Sequence, residues 1–122
     1  RDGKVVEYLV ENAIPVYFIS GRDSACVRKR AIALGAVPLL GAKDKLKTIK
    51  EHTRCGLDRV LFVGDGVQDC EALRAAGVAI APADASDEAI ASSHATTIAR
   101  GGDGVISEIV TEFLKIRGIW PT

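Results

Sequence analysis

Two aspartates that follow an apolar run have the type and spacing to do chemistry. The run RVLFV, residues 59–63, is followed by GDGVQD, which puts Asp65 between two glycines and Asp69 four residues later. A carboxylate at the end of a buried strand is costly without a partner, and glycines let other groups approach closely. Paired carboxylates suit a hard cation such as Mg²⁺. The spacing predicts that Asp65 and Asp69 belong to a metal site.

A hydroxyl and an ammonium group are predicted at neighbouring strand ends. Ser20, Gly21 and Arg22 end the run IPVYFIS, and Lys45 follows the run AVPLL. Serine and lysine suit a phosphate oxygen, the hydroxyl as a donor and the lysine as a point charge. Beside a cation, they predict a magnesium-dependent phosphoryl-transfer site, where positioning and charge neutralisation supply most of the catalysis.

Alternating strands and helices must position these side chains. The pattern predicts helices over residues 4–13, 23–34, 42–56, 67–76, 86–93 and 104–117, and strands over 14–20, 36–40, 59–65, 78–85 and, at an edge, 94–99. Glycines 35, 56 and 77 are predicted to end three of the helices.

This alternation predicts an α/β fold. It implies right-handed crossovers and a parallel sheet with helices on both faces, a three-layer α/β/α Rossmann-like architecture. In such sheets ligands bind outside the carboxyl ends of the strands, where Ser20, Lys45, Asp65 and Asp69 all fall. The length of 122 residues suits one domain.

Composition narrows the class of partner. Sixteen basic and sixteen acidic residues give a formal net charge of zero, which disfavours nucleic acid and anionic membranes as partners. The sequence contains no apolar run that could span a bilayer, and its three cysteines lack metal-binding spacing. We expect a soluble cytoplasmic protein that acts on a small molecule. His52 and His94 have no partner pattern and are predicted to be surface residues.

Five motifs carry a resemblance to a known family. FISGRDS, GAKDK, FVGDGVQD, APADA and RGGDGVISEI, in this order, resemble the haloacid dehalogenase superfamily of phosphatases. More narrowly, they resemble the small capless branch that contains 3-deoxy-D-manno-octulosonate 8-phosphate phosphatase. The resemblance implies hydrolysis of a sugar-acid phosphate in lipopolysaccharide biosynthesis, with Mg²⁺ as cofactor and a homotetramer as the assembly.

The resemblance also implies residue roles. Ser20 would bind the transferring phosphoryl group and Lys45 would steady its charge. Asp65 would ligate magnesium, and Asp69 would support the metal or its waters. The residues implied near the sugar phosphate are Arg1, Asp2, Gly3, Gly21, Arg22, Arg30 and Lys45.

Two departures from the family pattern stand out. The family's nucleophile and general acid lie in a DxD motif on the central strand, upstream of the segment that RDG at residues 1–3 matches, and this sequence contains no DxD triplet. We therefore expect the fold to lack its N-terminal central strand, and the nucleophile to lie upstream of residue 1. Glu7 stands where the octulosonate phosphatases have an arginine, which leaves the identity of the sugar open.

Other interpretations remain open. The chain could be a catalytically silent oligomerisation domain, like the phosphatase-like domain of some acylneuraminate cytidylyltransferases. A cation-pump phosphorylation domain would require a DKTGT-like segment and membrane helices, which these residues lack. Ser20 could simply end a strand, Lys45 could belong to a solvated charged face, and Asp69 could be a favourable acid at a helix start.

Overall fold

Two compact units make up the chain, residues 1–53 and residues 54–122. The structure is a computed structural model that describes residues 2–102 and 104–117, with side chains as far as residue 112. No helix among these residues is long and apolar enough to cross a membrane. Arg1 lies outside the described residues.

The first unit is a two-stranded parallel sheet with three helices. Its elements are α1 (Asp2–Glu11), β1 (Tyr17–Ser20), α2 (Ala25–Leu34), β2 (Val37–Leu40) and α3 (Lys45–His52). Tyr17 pairs with Val37 and Ser20 with Leu40, so both strands end at the same edge. This is the parallel arrangement that the sequence predicts.

Polar side chains fix where two of these helices begin. The Ser24 hydroxyl accepts a hydrogen bond from the Val27 amide at 3.3 Å, and the Asp44 carboxylate accepts one from the Lys47 amide at 3.1 Å. Each bond satisfies an amide that a helix start leaves without a partner. Gly35 ends α2 with a positive φ of 81°, as predicted.

The second unit is a three-stranded parallel sheet in the order β3-β4-β5. Its strands are β3 (Leu61–Val63), β4 (Val78–Ala81) and β5 (Ala95–Thr96), and its helices are α4 (Cys70–Ala75), α5 (Asp87–Ala91) and α6 (Val105–Arg117). Single 3₁₀ turns, Leu57–Arg59 and Val67–Asp69, precede β3 and α4. The short strand β5 lies at the edge, which confirms that prediction.

Alanine dominates the core. Eight of the sixteen buried hydrophobic side chains in the described part of the chain are alanines, and five of the eight lie in the second unit. Leu73 is the largest side chain that is fully buried there. Small side chains let helices lie close to strands, so the packing depends on close backbone approach rather than on large interlocking side chains.

Gly77 shows one such approach. The sequence predicts it as the residue that stops a helix, but α4 already ends at Ala75 and Ala76 is its C-cap. A β-carbon on Gly77 would collide with the backbone of Asp58, and the Gly77 amide donates to the Leu57 carbonyl at 2.7 Å. Gly77 is therefore required because two backbone segments touch at this point.

The α/β class and the parallel pairing are confirmed, while several predicted element bounds differ from the structure. The helix expected over residues 42–56 spans only Lys45–His52, because Asp44 caps its start and the Thr53 amide closes its last turn on Ile49. Gly56 instead precedes a 3₁₀ turn. The described strands form two parallel sheets, one in each unit.

Candidate active site

Ser20 lies at the end of β1 and organises the turn that follows. Its hydroxyl oxygen accepts a hydrogen bond from the Arg22 amide at 3.2 Å, which is a serine turn across Gly21. The side chain of Ser20 is half-buried and that of Arg22 is exposed. Ser20 therefore does end a strand, which is one of the interpretations that the sequence leaves open. Because the hydroxyl oxygen acts as the acceptor in this turn, the hydroxyl proton can still be donated to a ligand.

The loop that follows β2 lies beside this turn. The Ala42 amide donates to the Ser20 carbonyl at 2.9 Å, and a β-carbon on Gly21 would lie 3.9 Å from the Ala42 carbonyl oxygen. Lys45 is half-buried at the first position of α3, three residues past Ala42. The first unit therefore brings the Ser20 turn and the loop leading to Lys45 together, as expected for adjacent parallel strands.

Gly3 and Arg30, both predicted near the substrate, also lie close together. Gly3 is buried on α1, and a β-carbon there would lie 3.0 Å from a guanidinium nitrogen of Arg30 on α2. Asp2 is the first residue of the same helix and is half-buried. Glycine at position 3 leaves the space that the Arg30 side chain occupies.

Asp65 and Asp69 come together in a tight loop after β3. Asp69 is only 2% exposed. One of its carboxylate oxygens, Oδ2, accepts hydrogen bonds from the backbone amides of Asp65, at 3.0 Å, and Gly66, at 3.1 Å. The side chain of Asp65 is exposed at the end of the strand. The two acids therefore differ in environment: one is buried against the backbone and the other faces solvent.

Ser86 contributes to this loop, although none of the sequence motifs identifies it as a site residue. Its amide donates to the Asp65 carbonyl at 2.8 Å, and its hydroxyl caps α5 by accepting from the Ala89 amide at 3.2 Å. A serine before two acids is a recognisable helix start, so the sequence signals the cap. The bond to Asp65 joins residues 21 apart in sequence, which no local pattern predicts.

The oxygen ligands at this loop are of the chemical type that a magnesium ion prefers. The carboxylate of Asp65 is exposed and makes no hydrogen bond or ion pair with the described residues. Mg²⁺ commonly takes one or two carboxylates together with waters and substrate phosphate. Among the described residues no group of three or more acidic, histidine or cysteine side chains could hold a metal ion. A site built on Asp65 therefore draws its remaining ligands from waters, substrate or other residues.

A family model described as haloacid dehalogenase-like hydrolase identifies the class of protein to which this chain belongs. The family of that description matches residues 43–109, more than half of the chain, and the chain belongs to it. The matched span contains Lys45, Asp65 and Asp69.

Within this family the chain is similar to 3-deoxy-D-manno-octulosonate 8-phosphate phosphatases. It is 31% identical over 113 residues to the enzyme KdsC of Yersinia pestis, an alignment that covers 89% of this chain and 60% of the relative. The chain thus spans about three fifths of that relative's length.

Solved structures agree with this similarity. The Moraxella catarrhalis phosphatase, in complex with magnesium ion, phosphate ion and KDO, matches with a TM-score of 0.88 and 31% identity, over 93% of this chain and 68% of that one. The cobalt-bound form of the Haemophilus influenzae phosphatase matches with a TM-score of 0.86 and 28% identity, over 96% of this chain and 71% of that one.

Proposed function

We propose that this chain is the greater part of a magnesium-dependent phosphatase that hydrolyses the phosphate monoester of a sugar acid such as 3-deoxy-D-manno-octulosonate 8-phosphate. The observation that carries the proposal is the exposed Asp65 carboxylate, which stands on a loop held by Asp69 at the end of a parallel strand. Similar proteins whose structures hold magnesium or cobalt support a divalent cation as the cofactor.

The loops of the first unit would bind the phosphate monoester. The Ser20 hydroxyl can donate to a phosphoryl oxygen while its own oxygen holds the Arg22 amide. The Lys45 ammonium supplies a positive charge from the next loop. Arg30, beside the buried Gly3, would contact the sugar acid, because a guanidinium binds a carboxylate or phosphate through two parallel hydrogen bonds.

The nucleophile in this proposal lies upstream of residue 1. An aspartate on that segment would attack phosphorus and form an aspartyl-phosphate, while a second aspartate would donate a proton to the departing sugar oxygen. The second aspartate would then take a proton from the water that attacks phosphorus, which frees the first aspartate and releases phosphate. Magnesium bound at Asp65 would offset the negative charge of the phosphoryl oxygens. Within this chain, Ser20 and Lys45 would orient the phosphoryl group for in-line attack.

Phosphate release tests the proposal. We expect a polypeptide that includes the upstream segment to release phosphate from 3-deoxy-D-manno-octulosonate 8-phosphate in the presence of Mg²⁺, and to stop when EDTA is added. The 122 residues alone should be inactive. Normal turnover by the 122 residues alone would show that the nucleophile is wrongly assigned.

Matched variants separate site residues from surface charge. Lys45→Ala and Asp65→Asn should each lower kcat/KM by about 100-fold or more, because each removes a charge that acts on the transition state. Lys47→Ala, two residues along the same helix, and Asp87→Asn, an exposed acid at the start of α5, should stay within about two-fold of the parent. Equal loss in both sets would contradict the assigned roles.

The same measurements separate this proposal from the silent oligomerisation domain. A silent domain would release no phosphate from any sugar-acid phosphate even with the upstream segment present. The tetrameric assembly, the link to lipopolysaccharide biosynthesis and the cytoplasmic location stay predictions from the resemblance and the sequence. Light scattering of the same preparation would test the assembly.

A further inference from the structure

The loop after β5, residues 97–101, is held against the residues that follow β4. The Thr97 amide donates to the Ala81 carbonyl at 3.0 Å, and the Ala99 carbonyl accepts from the Ala83 amide at 3.1 Å. These bonds continue the pairing of β4 with β5 past the last residue of β5. One side of the loop is therefore bound to the sheet.

Two carboxylates hold three further amides of this loop. The two oxygens of Glu108 accept from Ile98 and Ala99, both at 2.8 Å. Oδ1 of Asp84 accepts from Gly101, also at 2.8 Å. Hydrogen bonds to an ionised acceptor are stronger than those between neutral groups. The rest of the second unit thus fixes the backbone of the loop without help from a ligand.

Arg100 is the residue of this loop whose donors have no acceptor among the described residues. Its amide makes no hydrogen bond there, although the amides of residues 97–99 and 101 on either side are all bonded. Its side chain is exposed and makes no hydrogen bond or ion pair with the part of the chain that the structure describes. An amide and a guanidinium on one residue, presented by a backbone that is already fixed, suit an anion.

Arg100 lies at the same edge of the sheet as Asp65. Because β3 and β5 both pair in parallel with β4, the two residues follow the carboxyl ends of their strands. Neighbouring strands lie about 4.8 Å apart, which puts the ends of β3 and β5 about 10 Å from each other. A short segment connects the two loops, because Ser86 bonds the Asp65 carbonyl and Asp84 bonds the Gly101 amide.

We propose that Arg100 binds the carboxylate of the sugar acid and thereby selects acidic substrates. This inference rests on the proposed function, in which the cation at Asp65 offsets the charge of the phosphate. 3-Deoxy-D-manno-octulosonate 8-phosphate carries its carboxylate and its phosphate at opposite ends of the carbon chain, so two separate sites at Asp65 and Arg100 match it. A guanidinium binds a carboxylate through two parallel hydrogen bonds, and the Arg100 amide is a further donor on the same residue.

Two phosphate monoesters separate carboxylate binding from phosphate chemistry. In the natural full-length polypeptide that contains these residues, Arg100→Ala should lower kcat/KM for 3-deoxy-D-manno-octulosonate 8-phosphate by at least about 10-fold, mainly through KM. With p-nitrophenyl phosphate, which has no carboxylate, the same variant should lose less than about two-fold. Equal losses with both esters would place Arg100 at the phosphoryl group and refute the proposal. Unchanged kcat/KM for the sugar-acid ester would refute it as well.

Arg59 offers a matched control. It is exposed in the 3₁₀ turn before β3, at the opposite edge of the same sheet, so Arg59→Ala removes the same charge from the same unit. This variant should change kcat/KM for either ester by less than about two-fold. Arg100→Lys keeps the charge without the paired donors and should fall between Arg100→Ala and the parent. If Arg59→Ala lost as much as Arg100→Ala, net charge rather than a specific contact would govern binding, and the proposal would be wrong.

Failure of the proposed function would look different. Binding of the sugar acid without its phosphate, 3-deoxy-D-manno-octulosonate, needs no catalysis and can be measured by isothermal titration calorimetry. The parent protein should bind this acid at least about 10-fold more tightly than Arg100→Ala does. If the parent bound the acid in this way but released no phosphate, the phosphatase function would be wrong and the carboxylate site would stand. A parent that bound no acid, or bound it no more tightly than Arg100→Ala, would overturn the inference.

Discussion

Ala79 and His94 are joined by two hydrogen bonds, and in one of them the acceptor is the His94 ring instead of a backbone carbonyl. The His94 amide donates to the Ala79 carbonyl at 2.8 Å, and the Ala79 amide donates to Nδ1 of the His94 ring at 2.9 Å. The ring nitrogen thus takes the place of a backbone carbonyl, and the pairing of β4 extends to His94, the residue before β5. Ala79 is fully buried, so its amide has no access to water.

Replacement of His94 should therefore cost stability. We expect His94→Ala to lower the free energy of unfolding by about 1–3 kcal/mol, because it leaves the buried Ala79 amide without an acceptor. His94→Asn should recover most of the loss, because the asparagine side-chain oxygen can take the place of Nδ1. Urea unfolding followed by circular dichroism measures both, and an alanine variant as stable as the parent would contradict the role of the ring.

For individual residues, the sequence predicts which side chains could do chemistry better than it predicts their contacts. The spacing of Asp65 and Asp69, and their place at a strand end, can be read from GDGVQD. The sequence does not show which of the two acids is buried, because that depends on where the amides of Asp65 and Gly66 point once the loop has formed. His94 is exposed, as predicted, but its bond to Ala79 crosses 15 residues and follows from the register of β4 and β5.

The segment after β5 is held by one glutamate of α6. Both carboxylate oxygens of Glu108 accept backbone hydrogen bonds at 2.8 Å, one from Ile98 and the other from Ala99. The Ala99 carbonyl in turn accepts from the Thr97 hydroxyl at 2.6 Å. Glu108 therefore connects the first turns of the last helix to the edge of the sheet.

Loss of this connection should loosen the segment. We expect Glu108→Ala to lower the free energy of unfolding by about 1–3 kcal/mol and to speed amide exchange at Ile98 and Ala99, because two amides lose a charged acceptor. Glu112→Ala, one turn further along α6 and exposed, is the matched control and should change stability by less than about 0.5 kcal/mol. Similar effects in both variants would mean that the helix rather than the carboxylate matters.

Element types follow from the sequence, and element ends depend on caps and close contacts. Each predicted strand and helix exists, because alternation and apolar runs are strong local signals. The observed ends differ from the predicted ones where a single polar residue caps a helix, as Asp44 does for α3. They also differ where two backbone segments touch, as at Gly77. The tail GIWPT, residues 118–122, lies outside the described residues.

Across the whole chain, the zero net charge hides an uneven distribution. Residues 1–53 contain ten basic and six acidic side chains, and residues 54–122 contain six and ten. The first unit carries the residues proposed to bind a phosphate monoester, and the second carries those proposed to bind a cation. Each unit thus has a net charge opposite in sign to that of its proposed ligand, which favours binding over a range of about a Debye length.

The alanine-rich core has a thermal consequence. Unfolding raises the heat capacity in proportion to the apolar surface that it exposes, and a buried alanine contributes far less surface than a leucine or a phenylalanine. With half of the buried hydrophobic side chains in the described residues being alanines, we expect an unfolding heat-capacity change below the usual ~12–15 cal/mol/K per residue.

Differential scanning calorimetry at several pH values measures that change as the slope of unfolding enthalpy against melting temperature, and a slope at or above the usual range would contradict it. A small heat-capacity change would flatten the curve of stability against temperature, so that the protein would lose little stability on moderate cooling or warming away from the temperature of maximum stability.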